Sequence, residues 1–164
     1  LFASAEAAVA QGRRLAAEGA DALDLGGEST RPGAREVPAE EEAARVLPVL
    51  AALAAELPVP LSVDTRKAAV ARAALDAGAR IVNDVSALGH DPAMAAVAAR
   101  AEGLCLMHAQ GEPGTMQDDP RYDDVLLDVY DALEARLAAA EGAGIPRARI
   151  PGDPGLGFGQ TLQH

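Results

Sequence analysis

Four times along this chain an alanine-rich amphipathic stretch runs to a glycine, gives way to a short aliphatic run, and that run ends on polar residues. The spacing predicts helices over Ser4 to Glu18, Lys67 to Ala77, Ala93 to Glu102 and Leu126 to Glu141. Their stops fall at Gly19, Gly78, Gly103, and Gly142 with Gly144. The strands that follow are Ala22 to Leu25, Arg80 to Asp84, Leu104 to His108 and Arg149 to Asp153. A fifth helix, Ala39 to Glu56, feeds Leu61 to Asp64 through a turn bracketed by Pro58 and Pro60. Glycine accepts the left-handed backbone that closes a helix, so each stop has a mechanism. Ser4 and Asp91, the latter followed by Pro92, read as N-cap signals.

Strands that alternate with helices of ten or more residues build a parallel sheet from βαβ units. Two α/β architectures satisfy this, an open doubly wound sheet and a (β/α)8 barrel. A dinucleotide-binding sheet calls for a glycine fingerprint opening a helix after its first strand, and Gly26-Gly27-Glu28-Ser29-Thr30 does not supply one. All five strands instead carry polar groups at their C-terminal ends, the face on which barrel enzymes place their sites. A complete barrel takes about 250 residues, whereas this chain has 164 and five strands. The expectation is therefore one incomplete domain over residues 1–164: a partial TIM barrel, roughly strands 2 to 6 with their helices, truncated at both ends. A small five-stranded open sheet, complete in itself, is the competing reading.

Hydrophobic residues make up 49% of the chain and aromatics 2%, so the core must be aliphatic and a base-stacking platform is excluded. The net charge of −11 disfavours nucleic acid and anionic membranes as partners. No run of about 18 apolar residues occurs and the start lacks a basic flank, which fits a cytoplasmic protein. Cys105, the sole cysteine, lies among Leu104, Leu106 and Met107 and reads as a buried apolar thiol.

The strand ending at Leu25 empties into Gly26-Gly27-Glu28-Ser29-Thr30-Arg31-Pro32-Gly33. Such a loop lets backbone approach a ligand, and offers an acceptor, two hydroxyls and a guanidinium fork suited to carboxylate or phosphate. The plainer reading is a polar turn. Asp64 ends a strand just before a helix, where it either faces a ligand or caps that helix. Asn83 with Asp84, and Asp153, close two further strands, so these groups could meet at one mouth. Such an acceptor-rich cleft suits a ligand with several N–H donors, for instance a pterin, whose guanidine-like edge pairs with a carboxylate. Val85, Met107 and Phe158 are placed to line an apolar slot or simply to pack the core. The same acids could hold Mg²⁺, although no lysine or histidine base stands at a matching strand end. His90, His108 and His164 show no zinc-ligand spacing, and His108 reads as a structural hydrogen-bonder.

Six motifs in order resemble the dihydropteroate synthases, a pterin-binding family of folate biosynthesis. They are Gly-Gly-Glu-Ser-Thr-Arg-Pro-Gly at 26–33, Ser-Val-Asp-Thr at 62–65, Ile-Val-Asn-Asp at 81–84, Leu-Met-His at 106–108, Pro-Gly-Thr-Met-Gln at 113–117 and Asp-Pro-Gly-Leu-Gly-Phe-Gly at 153–159. The resemblance implies a sulfonamide-targeted transferase that condenses 7,8-dihydropterin-6-ylmethyl diphosphate with p-aminobenzoate, releasing diphosphate. It implies that Asp64, Asn83 and Asp153 hold the pterin, that Val85, Met107 and Phe158 line its slot, and that Thr30 and Arg31 belong to a loop closing over the diphosphate, Arg31 acting in catalysis. It further implies Mg²⁺ bound by a segment before Leu1, small-molecule partners only, and a homodimeric full-length protein. A lysine-bearing Ser-Arg-Lys segment and an Arg-x-His anion site would follow His164, so residues 1–164 alone are expected to bind pterin weakly and not to turn over. Gly152 and Gln160 depart from the family pattern and are expected to loosen the last strand and its loop. The alternatives are the pterin-binding barrel of a methyltetrahydrofolate-dependent corrinoid methyltransferase, which has no need of the Ser-Thr-Arg-Pro loop, and a non-catalytic fragment.

Overall fold

In a computed structural model that describes residues 4–30, 33–111 and 117–161, the chain alternates helix and strand throughout. The order is α1 (Ala5–Ala17), β1 (Leu23–Gly26), α2 (Ala39–Glu56), β2 (Leu61–Asp64), α3 (Ala68–Asp76), β3 (Ile81–Asp84), α4 (Met94–Ala98), β4 (Gly103–Met107), α5 (Val125–Gly142) and β5 (Gly152–Asp153). The Ser4 side chain caps α1 by accepting from the Ala7 amide at 3.2 Å. Gly78 closes α3 with φ of 112°, as the glycine stop requires. Gly103 does not close a helix; it opens β4.

The five strands are parallel and lie in sequence order, β1-β2-β3-β4-β5. Alternation along each strand sorts the side chains into two faces. Leu23, Leu61, Val63, Val82, Leu104 and Leu106 point to one face and are buried against Val46, Leu50, Leu53, Ala71, Ala74, Met94 and Val97 of the helices. The opposite face carries Asp24, Ser62, Asp64, Asn83, Cys105, Met107 and, by register with Met107, Asp153. Helices cover one face only, and the strand order never reverses. That is barrel winding, since a doubly wound sheet reverses its strand order and is covered on both sides.

Two elements are shorter than the sequence predicts. The helix expected over Ala93 to Glu102 ends at Ala98, because Arg100 and Ala101 make tight three-residue turns and the Glu102 amide is already paired with the Arg80 carbonyl at 2.8 Å. The last strand is two residues long: Arg147–Arg149 form a 3-10 turn after Pro146, and Pro151 has no N–H to give a ladder.

Candidate active site

The β1 loop is anchored before it reaches any ligand. Glu28 is buried, accepting from the Val37 amide at 3.0 Å, from Arg66 at 2.9 Å and from the Lys67 ammonium. Lys67 donates onward to fully buried Glu42 at 2.7 Å. Burial alone would raise the Glu28 carboxyl, but Lys67, the Val37 amide and Arg66 together hold it below its ordinary value. Burial would likewise lower Lys67, and its two glutamates raise it instead. Glu28 is thus not the ligand acceptor that the sequence suggested: it ties the loop to the starts of α2 and α3. Thr30 emerges from this anchored base to line a cavity. Arg31 lies outside the described residues.

Asp64 and Asn83 are register partners on the uncovered face. Asp64 does not cap α3. That helix takes its cap from Asp91, which accepts from the Ala68 amide at 2.8 Å and from the Ala93 amide at 2.9 Å. One buried oxygen of Asp64, Oδ1, has no hydrogen-bond partner among the described residues. Burial, followed by the charges of Asp24, Glu42, Asp84 and Glu28, pushes the Asp64 carboxyl up to about 7. An acid so placed is poised to accept N–H donors that would restore its charge. The Asn83 amide donates to Asp24 at 3.0 Å. Asp153, two strands further on, spends one oxygen on the Gly155 amide at 2.8 Å and is otherwise exposed.

Cys105 points to this same face between Asn83 and β5, half-exposed rather than packed in the core. Burial and then the charges of Asp153, Asp24 and Asp64 raise its thiol to about 11, so it is not a nucleophile at neutral pH. Asp84, adjacent in sequence to Asn83, turns to the other side of the sheet. It is fully buried and accepts from the Ser86 amide at 2.9 Å, the Ser86 hydroxyl at 2.6 Å and the Leu88 amide at 2.9 Å. These bonds hold Ala87 and Leu88 in left-handed conformations, φ 48° and 64°, which alanine and leucine adopt only when the surroundings impose them.

The turn so held forms one wall of a cavity of about 280 Å³ over the C-terminal ends of the strands. Val85, Met107 and Phe158, the three residues expected to line an apolar slot, all line it and Thr30 joins them, whereas Asp64, Asn83 and Asp153 are not among its lining residues. Arg66, Ser86, His90 and Arg136 line it as well, and sequence reasoning had not singled them out. Phe158 is carried by a loop that is closely fitted. Gly155 takes a left-handed φ of 63° and a Cβ there would overlap the His108 carbonyl oxygen. Gln160 accepts from the Gly157 amide at 3.2 Å and donates to the Pro154 carbonyl at 3.3 Å. Gln160 therefore stitches this loop rather than loosening it. His108 is half-buried and lowered by that burial, with Nδ1 unpartnered among the described residues. No three His, Cys, Asp or Glu side chains among the described residues gather as metal ligands.

The sequence of residues 1–164 matches the family model described as pterin binding enzyme over its whole length. This chain belongs to the pterin-binding enzyme family. Dihydropteroate synthase from Neisseria meningitidis serogroup C is 50% identical over 163 residues, which is 98% of this chain and 57% of the relative. Among solved structures, the Yersinia pestis dihydropteroate synthase in a sulfonamide drug complex superposes with a TM-score of 0.95 at 42% identity, covering 99% of this chain and 59% of that one. The Burkholderia cenocepacia dihydropteroate synthase complexed with 7,8-dihydropteroate gives a TM-score of 0.89 at 50% identity, over 96% and 56% of the two chains. The chain thus spans a little over half the length of these relatives. In this pterin-binding barrel, the anchoring of Glu28 by Arg66 and Lys67 is the feature the sequence hid most completely, because its partners lie 38 and 39 residues away.

Proposed function

We propose that this chain carries the pterin-holding part of a cytoplasmic dihydropteroate synthase, a transferase that joins a dihydropterin diphosphate to p-aminobenzoate. The observation that carries the reading is the placement of Asp64 and Asn83 side by side, with Asp153 on the same face, at the C-terminal strand ends that also carry Val85, Met107 and Phe158, although the three polar residues do not themselves line the cavity those apolar ones share. Relatives named dihydropteroate synthase, at 42–50% identity, support it.

On this reading the pterin's amino-pyrimidine edge donates two parallel N–H bonds to Asp64, which meets it with an oxygen that is otherwise unpartnered. Asn83 supplies an amide, and Asp153 takes a further N–H with the oxygen its own loop leaves open. The apolar walls hold the ring plane and exclude water. Thr30 and Arg31 are assigned, by the family resemblance, to the exocyclic methylene, where the C–O bond to diphosphate breaks and the arylamine nitrogen forms the new C–N bond, then sheds a proton to solvent. The chain's contribution is orientation and electrostatics, with no covalent intermediate. Magnesium, small-molecule partners and a homodimeric assembly belong to the same proposal. The metal would be held by residues other than those described.

The test is diphosphate release by the full-length protein, with dihydropteroate identified by mass. Release that requires both the pterin diphosphate and p-aminobenzoate is expected. Release independent of the arylamine, or methyl transfer to a corrinoid instead, would overturn the reading.

A further inference from the structure

The Asn83 side chain is not free to choose which end it shows to a ligand. Its Nδ2 lies 3.0 Å from Asp24 Oδ2. A carboxylate only accepts hydrogen bonds, so the amide nitrogen must face Asp24, and Oδ1 is turned to the other side. An asparagine without such a partner presents either its oxygen or its nitrogen to a ligand, and one of the two sets N–H against N–H.

The position of Asp24 explains how it can do this without occupying the ligand's place. Asp24 pairs in register with Ser62 and Asn83 pairs with Asp64. Asp24 therefore lies one step deeper along the sheet than the Asp64 and Asn83 row. Its bond crosses over β2, linking β1 to β3 from one step below the Asp64 and Asn83 row. Such a bond, with one ionised partner, is of the stronger kind. Asp24 also stands close enough to Asp64 to help hold that carboxyl high, which places one residue behind both of its mouth-facing neighbours.

We propose that Asp24 is a positioning residue of the pterin site, fixing the Asn83 amide so that Oδ1 is presented as an acceptor for a pterin N–H. The inference rests on the reading of Asn83 as a pterin ligand. It gives Asn83 a defined polarity: one acceptor and, from the second hydrogen on Nδ2, one donor.

The experiment is a double-mutant cycle in the full-length protein, reading 6-hydroxymethylpterin affinity by calorimetry and the melting temperature alongside. Asn83→Ala and Asp24→Ala are each expected to weaken pterin binding about tenfold, as loss of one charge-supported hydrogen bond does. The double variant is expected to bind no worse than Asn83→Ala alone, since the hydrogen bond of Asp24 acts through Asn83 and removing its charge from beside Asp64 only eases ionisation of that acceptor, adding no penalty. Asp24→Asn keeps an acceptor for Nδ2 and is expected to fall between wild type and Asp24→Ala, with its melting temperature little changed. If Asn83→Ala weakens binding while Asp24→Ala and Asp24→Asn stay within twofold of wild type, the positioning role is wrong and the pterin reading stands. If the two penalties simply add, Asp24 acts independently of Asn83 and the inference again fails. If Asn83→Ala itself binds pterin normally, the underlying reading fails and takes the inference with it.

Discussion

The ammonium of Lys67 donates to Glu42 at 2.7 Å from inside the core, at a glutamate with no exposed surface. Both glutamates that Lys67 serves are buried, so the pair can be deleted only as a unit; removing one partner strands the rest. Lys67→Met is expected to destabilise the full-length protein by about 3–5 kcal/mol, read as a fall in urea midpoint. Glu28→Gln, which keeps an acceptor and shortens the charge list by one, should cost less. Equal costs for the two would mean that the cluster is not organised around the lysine.

Asp84 serves the site from behind it. Its carboxylate alone holds the Ser86 and Leu88 amides, across a turn whose next two residues are left-handed. Asp84→Ala is expected to cost about 2–4 kcal/mol, because three donors, the Ser86 amide and hydroxyl and the Leu88 amide, lose their acceptor. Val85, which forms part of the cavity wall, is attached to this turn. The pterin KM should therefore rise in Asp84→Asn even where the variant folds, with kcat less affected. An unchanged KM would show that the turn does not set the wall.

The rhythm of helix, glycine and strand made the five parallel strands legible, because each carries its own local signal. The strand ends made Asp64, Asn83 and Asp153 legible as polar residues at C-terminal strand ends, and the register places all three on one face. Which of Asn83 and Asp84 faces the mouth was not legible, since a shift of one residue exchanges the two faces and both are polar. Burial of Val82 on the helix side decides it, and that is a property of the packed sheet. Glu28 was misjudged for a different reason. A buried acid and a ligand-facing acid look alike in a loop when the compensating charges come from α3, far along the chain. Asp91 likewise reads as a cap for its own turn, and nothing local announces that it also caps α3.

The loop that carries Phe158 separates two effects of glycine. Gly157 has φ of 88° with nothing within 4 Å of a built Cβ, so Gly157→Ala should cost only backbone strain, about 1 kcal/mol. Gly155→Ala adds overlap with the His108 carbonyl, and the Gly155 carbonyl also accepts from the Phe158 amide at 2.9 Å. Its cost should exceed that of Gly157→Ala by about 2 kcal/mol or more, with pterin affinity reduced as Phe158 is displaced. Equal urea midpoints for the two variants would show that the loop yields freely at Gly155.

Asp64 gives the site a proton inventory that can be measured. Its carboxyl moves from an unfolded value near 3.8 to about 7 in the folded protein, so between those pH values the native state binds the more protons. Stability from this group is therefore complete below about pH 4, falls as pH rises toward 7, and is level above. Asp64→Asn removes that slope and should make the ligand-free protein more stable at pH 8 by about 1–3 kcal/mol, the full shift being reduced by partial solvent exposure. The same variant should lose pterin affinity, since an amide cannot accept two parallel N–H bonds. Pterin binding to the wild type should restore the charged form and so release close to one proton at pH 6 and almost none at pH 8. Calorimetry in buffers of different ionisation enthalpy reads this directly. Buffer-independent heats at pH 6 would mean that Asp64 is already ionised in the empty site and that its burial does not hold the proton.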